Sequence, residues 1–282
     1  MEGQVDAQDV AGIKDPGERA VAVNQLIDEY QAVIAGLSDL RRETLRELLA
    51  SGMPQTAIAE MLGISKSRVS QLLSAGSRPE RAFLGSGTVT VAVGGKLEAG
   101  KAEPGGVVSS ESFAGYEVLA SLARSVGLDA TCEVVPPPGH VHLNKPNLIV
   151  MAGPRLLPFL DQVLEADSHL GFCHAEHGWY LVDKDTGTQY RSPIDNGGPG
   201  DYAYLGRLPR PDGNGTFLYL AGIHAPGNLG AAQYLADNLA ELHRELKARR
   251  FSLLISCKFD PRDRKQILST ERVTPLYRYD GS

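Results

Sequence analysis

Apolar, β-branched runs alternate with amphipathic helical segments along residues 88–282, and this alternation constrains the fold more than any other feature. Four runs have the character of core strands: TVTVAVGG (88–95), NLIVMAGP (147–154), GTFLYLAGIH (215–224) and FSLLISCKFD (251–260). Amphipathic patterns over 110–129 and 228–249 predict long helices. Because alternating strands and helices pack as helical layers on a mostly parallel sheet, we predict an α/β fold.

An antiparallel insert at about 169–210 interrupts this alternation. Residues 178–193 read GWYLVDKDTGTQYRSP, which predicts a hairpin with a Thr-Gly turn. A further strand is predicted at 201–210, and residues 271–278 are predicted to form an edge strand. The predicted C-terminal domain, residues 88–282, is therefore Rossmann-like, with a mostly parallel sheet and an antiparallel insert.

Residues 17–76 carry a different, wholly helical pattern. ERAVAVNQLIDEYQAVIAGL (18–37) predicts an amphipathic helix that could pack within its own domain or pair with a second copy. Ser38 is predicted to cap a further helix that continues through Leu49. Residues 1–16 are polar and acidic, which predicts a disordered N-terminus. The glycine, proline, serine and charged residues of 77–87 predict a linker between the two domains.

Two short helices joined at a glycine are predicted within QTAIAEMLGISKSRVSQLL (55–73). The apolar residues form two helical stripes: Ile58, Ala59 and Leu62, then Val69, Leu72 and Leu73. Gly63 tolerates the left-handed backbone that a sharp turn between helices requires. Ser65 has the side chain of a helix N-cap and would start the second helix.

In this register the stretch resembles the helix-turn-helix of sigma-factor region 4 and of related bacterial regulators. The resemblance covers about residues 41–75, from RRETLRELLASGM to SRVSQLLSA, and it implies a small all-α DNA-binding domain. In such motifs the second helix enters the major groove with its N-terminal residues at the base edges. The positions that this reading assigns to DNA are Gln55, Thr56, Ser65, Lys66, Ser67, Arg68, Ser70, Gln71 and Ser74.

The chemistry of these side chains gives them different expected partners. Gln71 can pair bidentately with adenine, and Lys66 or Arg68 with guanine or phosphate. Gln55 and Thr56 would contact phosphates. The chain has a net charge of −6, yet residues 37–82 carry seven basic and five acidic side chains, which is compatible with double-stranded DNA. One alternative is a helical hairpin in a bundle, and another is that the whole helical domain is a protein-interaction module.

Three glycine-rich strand ends in the C-terminal domain indicate a binding pocket, because open parallel sheets bind ligands beyond the carboxyl ends of their strands. Glycine lets the backbone approach a ligand closely, a helix N-terminus attracts anions, and Lys96 and Arg155 add positive charge. The residues predicted to bind a small anionic, nucleotide-like ligand are Gly94, Gly95, Lys96, Gly153, Arg155, His224, Gly227, Asn228 and Gly230. The alternative is that these glycines only serve tight turns, since neither GxxxxGK[ST] nor GxGxxG is present.

Histidines and carboxylates of this domain do not by themselves define a metal or catalytic site. HVH (140–142), His169 and CHAEH (173–177) contain side chains that zinc accepts, but the two clusters lack standard spacing, so no metal site is predicted. The candidate acid or base groups of an enzyme are Glu98, Asp183, Asp195, Asp201 and His224. Nothing in the sequence places two of them within reach of each other, so no catalytic residue is assigned.

The remaining features set the expected setting of the chain. The sequence has no run of eighteen apolar residues and no secretory signal, so no membrane association is expected. Its three cysteines are widely spaced, which indicates a reducing, cytoplasmic environment. The resulting hypothesis is a bacterial-type, homo-oligomeric transcription regulator that binds DNA and senses a nucleotide-like ligand. The alternative is a nucleotide-processing enzyme, such as one that cleaves the glycosidic bond of NAD or a nucleotide, with an appended helix-turn-helix.

Overall fold

The chain folds into two compact units, residues 1–77 and residues 78–282. A computed structural model describes residues 7–74, 80–100, 102–137 and 139–279. Each unit is described by itself below.

Unit 1 contains four helices among its described residues. They are α1 (Ala7–Ala11), α2 (Pro16–Ala50), α3 (Gln55–Leu62) and α4 (Lys66–Ser74). Leu45 of α2, Ile58 and Ala59 of α3 and Val69 of α4 form a small buried core. The core explains why the short helices hold together, since isolated helices of this length are marginal in water.

Helix α2 differs from the expected pair of helices. It runs without interruption for 35 residues, and Ser38 does not cap a new helix. The Ser38 hydroxyl instead donates to the Ile34 carbonyl at 2.7 Å, which satisfies a serine inside a helix. Asp15 is the N-cap, and its carboxylate accepts from the Glu18 N–H at 2.8 Å.

Among the described residues, no helix has both the length and the apolar content needed to cross a bilayer.

The N-terminus also differs from the expected disorder over residues 1–16. Residues 7–11 form α1, and Val10 is buried. Residues 1–6 lie outside the described part of the chain.

Unit 2 confirms the predicted α/β class. Its helices are α5 (Arg81–Leu84), α6 (Ser110–Ser125), α7 (Leu160–Leu164) and α8 (Ala225–Leu246), with a 3₁₀ turn at Pro193–Asn196. Its strands are β1 (Thr88–Gly94), β2 (Lys96–Leu97), β3 (Gly106–Val107), β4 (Asp129–Val135), β5 (Leu148–Met151), β6 (Leu170–Ala175), β7 (Gly178–Asp183), β8 (Gln189–Arg191), β9 (Gly200–Pro209), β10 (Thr216–Gly222), β11 (Arg250–Asp260), β12 (Asp263–Arg272) and β13 (Tyr277–Tyr279).

The main sheet is mixed, whereas the sequence predicted a mostly parallel one. Its strand order is β12–β11–β9–β10–β5–β1–β4, and β13 pairs with the start of β11. Only β10, β5, β1 and β4 run parallel to one another. Strands β9 and β10 are joined by residues 210–215, and β11 and β12 by residues 261–262. Such short connections cannot make the crossover that parallel strands need, so these pairs are antiparallel.

The predicted insert at 169–210 divides between two sheets. Strands β6, β7 and β8 form a separate antiparallel sheet, which includes the predicted hairpin, whereas β9 belongs to the main sheet. The sequence pattern did not predict strand β12. Most of its residues are exposed and polar, so no alternation of apolar and polar residues marks it.

Part of the predicted linker at 77–87 is packed structure. Phe83 and Leu84 of α5 are buried in the core of unit 2. Arg207 of β9 donates to the Phe83 carbonyl at 2.6 Å, and its guanidinium lies 4.7 Å from the centre of the Phe83 ring. Residues 75–79 lie outside the described part of the chain. The α/β unit therefore begins before the position expected from the sequence.

Candidate functional site

A cleft opens in unit 2 where β1, β5 and β10 end and where α6 and α8 begin. Its volume is about 480 Å³ when the space open to solvent is counted, and the space that a water-sized sphere can enter is about 30 Å³. Its described lining consists of Gly94, Lys96, Ser109, Ser112, Gly153, Pro154, Arg155, Leu156, Phe172, Trp179, Gly222, Ile223, His224, Ala225 and Asn228. The three parallel strands are neighbours in the sheet, which brings their carboxyl ends to one edge.

Most of the residues predicted to bind a ligand lie around this cleft. The structure brings together Gly94, Lys96, Gly153, Arg155, His224 and Asn228. Gly95, Gly227 and Gly230 are not among the residues that line it. The Gly95 N–H bonds to the Val135 carbonyl at 2.9 Å, which ties it to the neighbouring strand.

Gly227 and Gly230 serve close packing of α8 against the sheet. A methyl group on Gly227 would lie 2.5 Å from the Asp201 Oδ2 and 2.7 Å from the Gly222 Cα. A methyl group on Gly230 would lie 2.5 Å from the Cys257 Cβ. Both glycines are thus explained by the approach of a helix to strands. Their predicted contact with a ligand stays a prediction.

Asn228 braces the cleft. Its Oδ1 accepts from the Gly222 N–H at 2.8 Å, and its Nδ2 donates to the Ser112 Oγ at 3.1 Å. The buried side chain therefore joins the end of β10 to the first turns of α6 and α8. Because Ser112 accepts this hydrogen bond, its own proton is available to a ligand in the cleft.

Asp201 of β9 caps helix α8. Its Oδ2 accepts from the His224 N–H at 2.8 Å and from the Gly227 N–H at 3.0 Å. Burial raises the pKa of Asp201 to about 6. Hydrogen bonds from Ser192 and from backbone N–H groups, together with the charge of His224, lower this pKa but do not offset the effect of burial. The negative charge that favours the N-terminus of α8 is therefore supplied by the protein itself.

The raised pKa of Asp201 predicts a pH-dependent stability. The folded state binds this proton more tightly than the unfolded chain, whose carboxyl has the ordinary value of 3.8. The contribution of Asp201 to stability therefore decreases as the pH rises from about 4 to about 6 and is constant above that range. The upward shift corresponds to roughly 2–3 kcal/mol.

Denaturant unfolding of the wild type and of Asp201→Asn between pH 4 and pH 7 measures this effect. As the pH rises across this range, the free energy of unfolding of the wild type should fall by about 2–3 kcal/mol relative to that of Asp201→Asn. The variant lacks this change because asparagine has no proton to lose. A difference between the two proteins that stays constant with pH would contradict the raised pKa.

The opposite side of the cleft, around α6, is suited to an anion. The Ser109 Oγ accepts from the Ser112 N–H at 3.2 Å, which leaves the Ser110 and Glu111 N–H groups without intrahelical partners. Lys96 and Arg155 line this cleft and are exposed. Among the described residues, no Asp or Glu side chain lines the cleft. The ionisable side chains of its lining are those of Lys96, Arg155 and His224.

His224 and Asp195 form a pair at the cleft. The His224 Nε2 lies 2.7 Å from the Asp195 Oδ1, and both side chains are partly exposed. The other carboxylates considered in the sequence lie elsewhere. Glu98 accepts from the Gly105 N–H at 3.4 Å in its own loop, and buried Asp183 accepts from the Tyr277 hydroxyl at 2.8 Å.

Two aromatic side chains from the small sheet complete the cleft wall, and the sequence analysis missed both. Phe172 of β6 and Trp179 of β7 lie with ring centres 6.5 Å apart, in an edge-on arrangement. Phe172 is buried and Trp179 is half-buried. The one tryptophan of the chain, at the start of a hairpin strand, was the available signal. An aromatic wall next to cationic groups suits a ligand with both a flat ring and an anionic group.

The histidines do not converge. His140 packs against Phe159, His174 packs against Trp179, and His169 bonds to Asp185 at 2.6 Å. Across the described part of the chain, no three His, Cys, Asp or Glu side chains are placed to hold a metal ion.

The candidate nucleic-acid interface lies in unit 1. Gly63 adopts the left-handed backbone, with φ 65° and ψ 30°, and the Ile64 N–H bonds to the Ala59 carbonyl at 3.0 Å. The Ser65 Oγ accepts from the Arg68 N–H at 3.1 Å, which starts α4 as expected. The turn and cap predicted from the sequence are therefore present.

The predicted DNA-contacting residues lie on α3 and α4. Gln55 is half-buried, and the exposed ones are Thr56, Ser65, Lys66, Ser67, Arg68 and Ser70. The side chains of Gln71 and Ser74 lie outside what the structure describes. Because Val69 alone of α4 is fully buried among its described side chains, a polar face remains on this helix. The resemblance to a helix-turn-helix stays a prediction.

Comparisons with protein-family models, with curated proteins and with solved structures find no match to this chain.

Proposed function

We propose that the chain is a DNA-binding transcriptional regulator whose α/β unit binds a small anionic, nucleotide-like ligand. The observation that carries the proposal is the described lining of the cleft, which combines the first turn of α6, two cationic side chains and an aromatic wall and contains no Asp or Glu side chain. A cleft of this kind favours binding of an anion over carboxylate-based catalysis.

The DNA-binding part of the proposal rests on α3 and α4. A turn with a left-handed glycine and a capped second helix holds Lys66, Ser67, Arg68 and Ser70 on one exposed helix. Short polar and basic side chains at the start of a helix suit base edges and phosphates in the major groove. A buried hairpin of a helical bundle would not require so polar a second helix.

The ligand-binding part rests on the α6 side of the cleft. The N–H groups of the first turn of α6 that lack an intrahelical partner, together with the Ser112 hydroxyl, can donate to phosphate oxygens. Lys96 and Arg155 can neutralise the charge of the anion, and Arg155 can do so bidentately. Trp179 offers a surface on which a base can stack.

Removal of Arg155 should weaken ligand binding by about 10- to 100-fold, the usual effect of losing a charge-assisted hydrogen bond. Thermal-shift titrations of the full chain with nucleoside phosphates, dinucleotides and cyclic nucleotides would identify a ligand, since binding to the folded state raises the melting temperature. The matched control is Arg124→Ala, which removes an exposed arginine from the far end of α6. No shift with any of these compounds would contradict the anionic cleft.

Removal of Lys66 and Arg68 should reduce DNA binding by at least tenfold. If both side chains contact phosphates, the slope of log affinity against log salt should fall by about two. Fluorescence anisotropy with duplexes selected from a random pool measures both quantities. The control Lys258→Ala with Lys265→Ala removes the same charge from the exposed surface of unit 2. Equal losses in the two double variants would mean that α4 has no specific role.

Regulation requires that the two activities be coupled. A ligand that favours one state of the protein should change the DNA affinity by about 5- to 150-fold, and DNA should change the ligand affinity by the same factor. Anisotropy titrations with and without the ligand test this reciprocity.

An enzyme remains the second candidate because of the His224–Asp195 pair. An imidazole held by a carboxylate at 2.7 Å beside an anion-binding cleft can act as a general acid or base in hydrolysis. Mass spectrometry of the ligand after incubation distinguishes the two candidates. Products that form with the wild type and not with His224→Asn would identify an enzyme, whereas ligand recovered intact would identify a sensor.

A further inference from the structure

Helix α2 presents an apolar stripe that is exposed along most of its first 25 residues. Val23, Ile27, Tyr30, Ile34 and Leu37 follow one another at spacings of four and three residues, the repeat that places side chains on one seam of a helix. The stripe comprises these five and Val33 and Leu40, and all seven are 41–60% exposed. Large apolar side chains are seldom left in such a contiguous row on a monomer.

The stripe continues into a groove between α2 and α3. The groove is lined by Leu37, Leu40, Arg41, Thr44, Leu45, Leu48, Met61 and Leu62. Met61 and Leu62 of α3 are themselves exposed, at 56% and 42%. One apolar surface, hereafter the α2 stripe, therefore extends from Val23 to the groove at Met61.

We propose that the α2 stripe pairs with the α2 stripe of a second copy of this chain. Full burial of an aliphatic side chain removes roughly 60–120 Å² from water, so nine half-exposed side chains supply roughly 270–540 Å² of apolar surface. A standard interface needs about 800 Å² per partner, of which a little over half is non-polar. The area of the stripe thus matches what a stable dimer requires.

The groove at the C-terminal side of the stripe indicates that the two helices run antiparallel. We place the two-fold axis of the pair next to Ile34, near the middle of the exposed apolar residues.

An antiparallel arrangement covers the groove. An axis next to Ile34 places Val23 of one copy, eleven residues before the axis, across from Leu45 of the other, which lies eleven residues after the axis and lines the groove. A parallel pair would leave the groove uncovered.

Substitution at the axis tests the proposal in the full-length chain. Sedimentation equilibrium should show a dimer for the wild type and a roughly hundredfold weaker dimer for Ile34→Glu, because two carboxylates then meet in an apolar interface. Ile34→Lys should behave alike, and an equimolar mixture of the two variants should recover the dimer. Recovery also shows that neither variant had unfolded.

The matched control is Leu268→Glu, which makes the same change at a side chain of the α/β unit with similar exposure, 58% against 60% for Ile34. It should leave the dimer unchanged. A monomeric wild type at tens of micromolar would overturn the proposal and mean that another part of the chain or another protein covers the stripe. A dimer that resists Ile34→Glu would overturn it equally.

Disulfide cross-linking tests the direction of the helices. In a background with Cys132 and Cys173 replaced by serine, Ile34→Cys should cross-link two copies on oxidation. Ile27→Cys should not, because about seven residues on either side of the axis separate the two positions by roughly 20 Å, beyond the reach of a disulfide. Efficient cross-linking of both variants would overturn the antiparallel arrangement.

Discussion

An alanine at Gly222 is expected to destabilise the α/β unit by about 3–5 kcal/mol. The new methyl group would lie 2.5 Å from the Asn228 nitrogen and 2.6 Å from the Gly227 carbonyl carbon, with the His224 oxygen closer still. All three are backbone atoms of the turn into α8, so no side chain can rotate away. Overpacking alone typically costs about 1–3 kcal/mol, and displacement of α8 would also break the Asn228–Gly222 hydrogen bond.

Gly153→Ala is the matched control for this change. Gly153 lines the same cleft, but its methyl group would meet only the Gly222 oxygen, at an ordinary 3.5 Å. Its free energy of unfolding should stay within about 1 kcal/mol of the wild type. Urea unfolding of the wild type and the two variants measures the difference in the free energy of unfolding. Similar stabilities for Gly222→Ala and Gly153→Ala would contradict the prediction, because they would show that the first turn of α8 can move at little cost.

Replacement of Asp167 by alanine should destabilise the α/β unit by about 4–6 kcal/mol. The fully buried carboxylate accepts from the His169 N–H at 2.8 Å, the Leu170 N–H at 2.9 Å and the Tyr204 hydroxyl at 2.7 Å, and also from the Tyr279 hydroxyl. Alanine leaves these donors without an acceptor. Each buried unsatisfied group costs roughly 1–3 kcal/mol.

Calorimetry should show the loss of Asp167 as a fall in melting temperature of roughly 8–24 °C, since about 1 kcal/mol lowers it by 2–4 °C in a domain of this size. Asp185→Ala is the control, because Asp185 is largely exposed and makes only a surface pair with His169. Tyr279→Phe, which removes one of the four donors, should fall between the two. A melting temperature of Asp167→Ala within 3 °C of the wild type would contradict the assigned network.

The strands of the α/β unit could be predicted wherever burial makes a local signal. The apolar runs that become β1, β5, β10 and β11 are buried along nearly their whole length, so that each is recognisable without its neighbours. Strand β12 is mostly exposed, and no sequence pattern marked it. The place of β9 in the main sheet also escaped prediction, because it depends on which strands β9 pairs with rather than on its own residues.

The cleft was partly predictable for a related reason. Glycine-rich ends of parallel strands must meet at one edge, and Gly94, Gly153 and His224 do so. The sequence did not indicate that Asp201 caps α8, that Asn228 braces two helices, or that Trp179 reaches the cleft. Each of these depends on a contact between elements that are far apart in the chain.

The sequence by itself determined the elements that depend on a few neighbouring residues. These are the left-handed turn at Gly63, the cap at Ser65 and the buried strands of the α/β unit. The tertiary structure decided how these elements pair and which polar groups meet. It made the sheet mixed, separated β6–β8 from it and turned Gly227 and Gly230 into packing positions. Backbone conformation and burial act over a few neighbouring residues, whereas pairing and hydrogen bonding are settled only when distant segments compete for the same space.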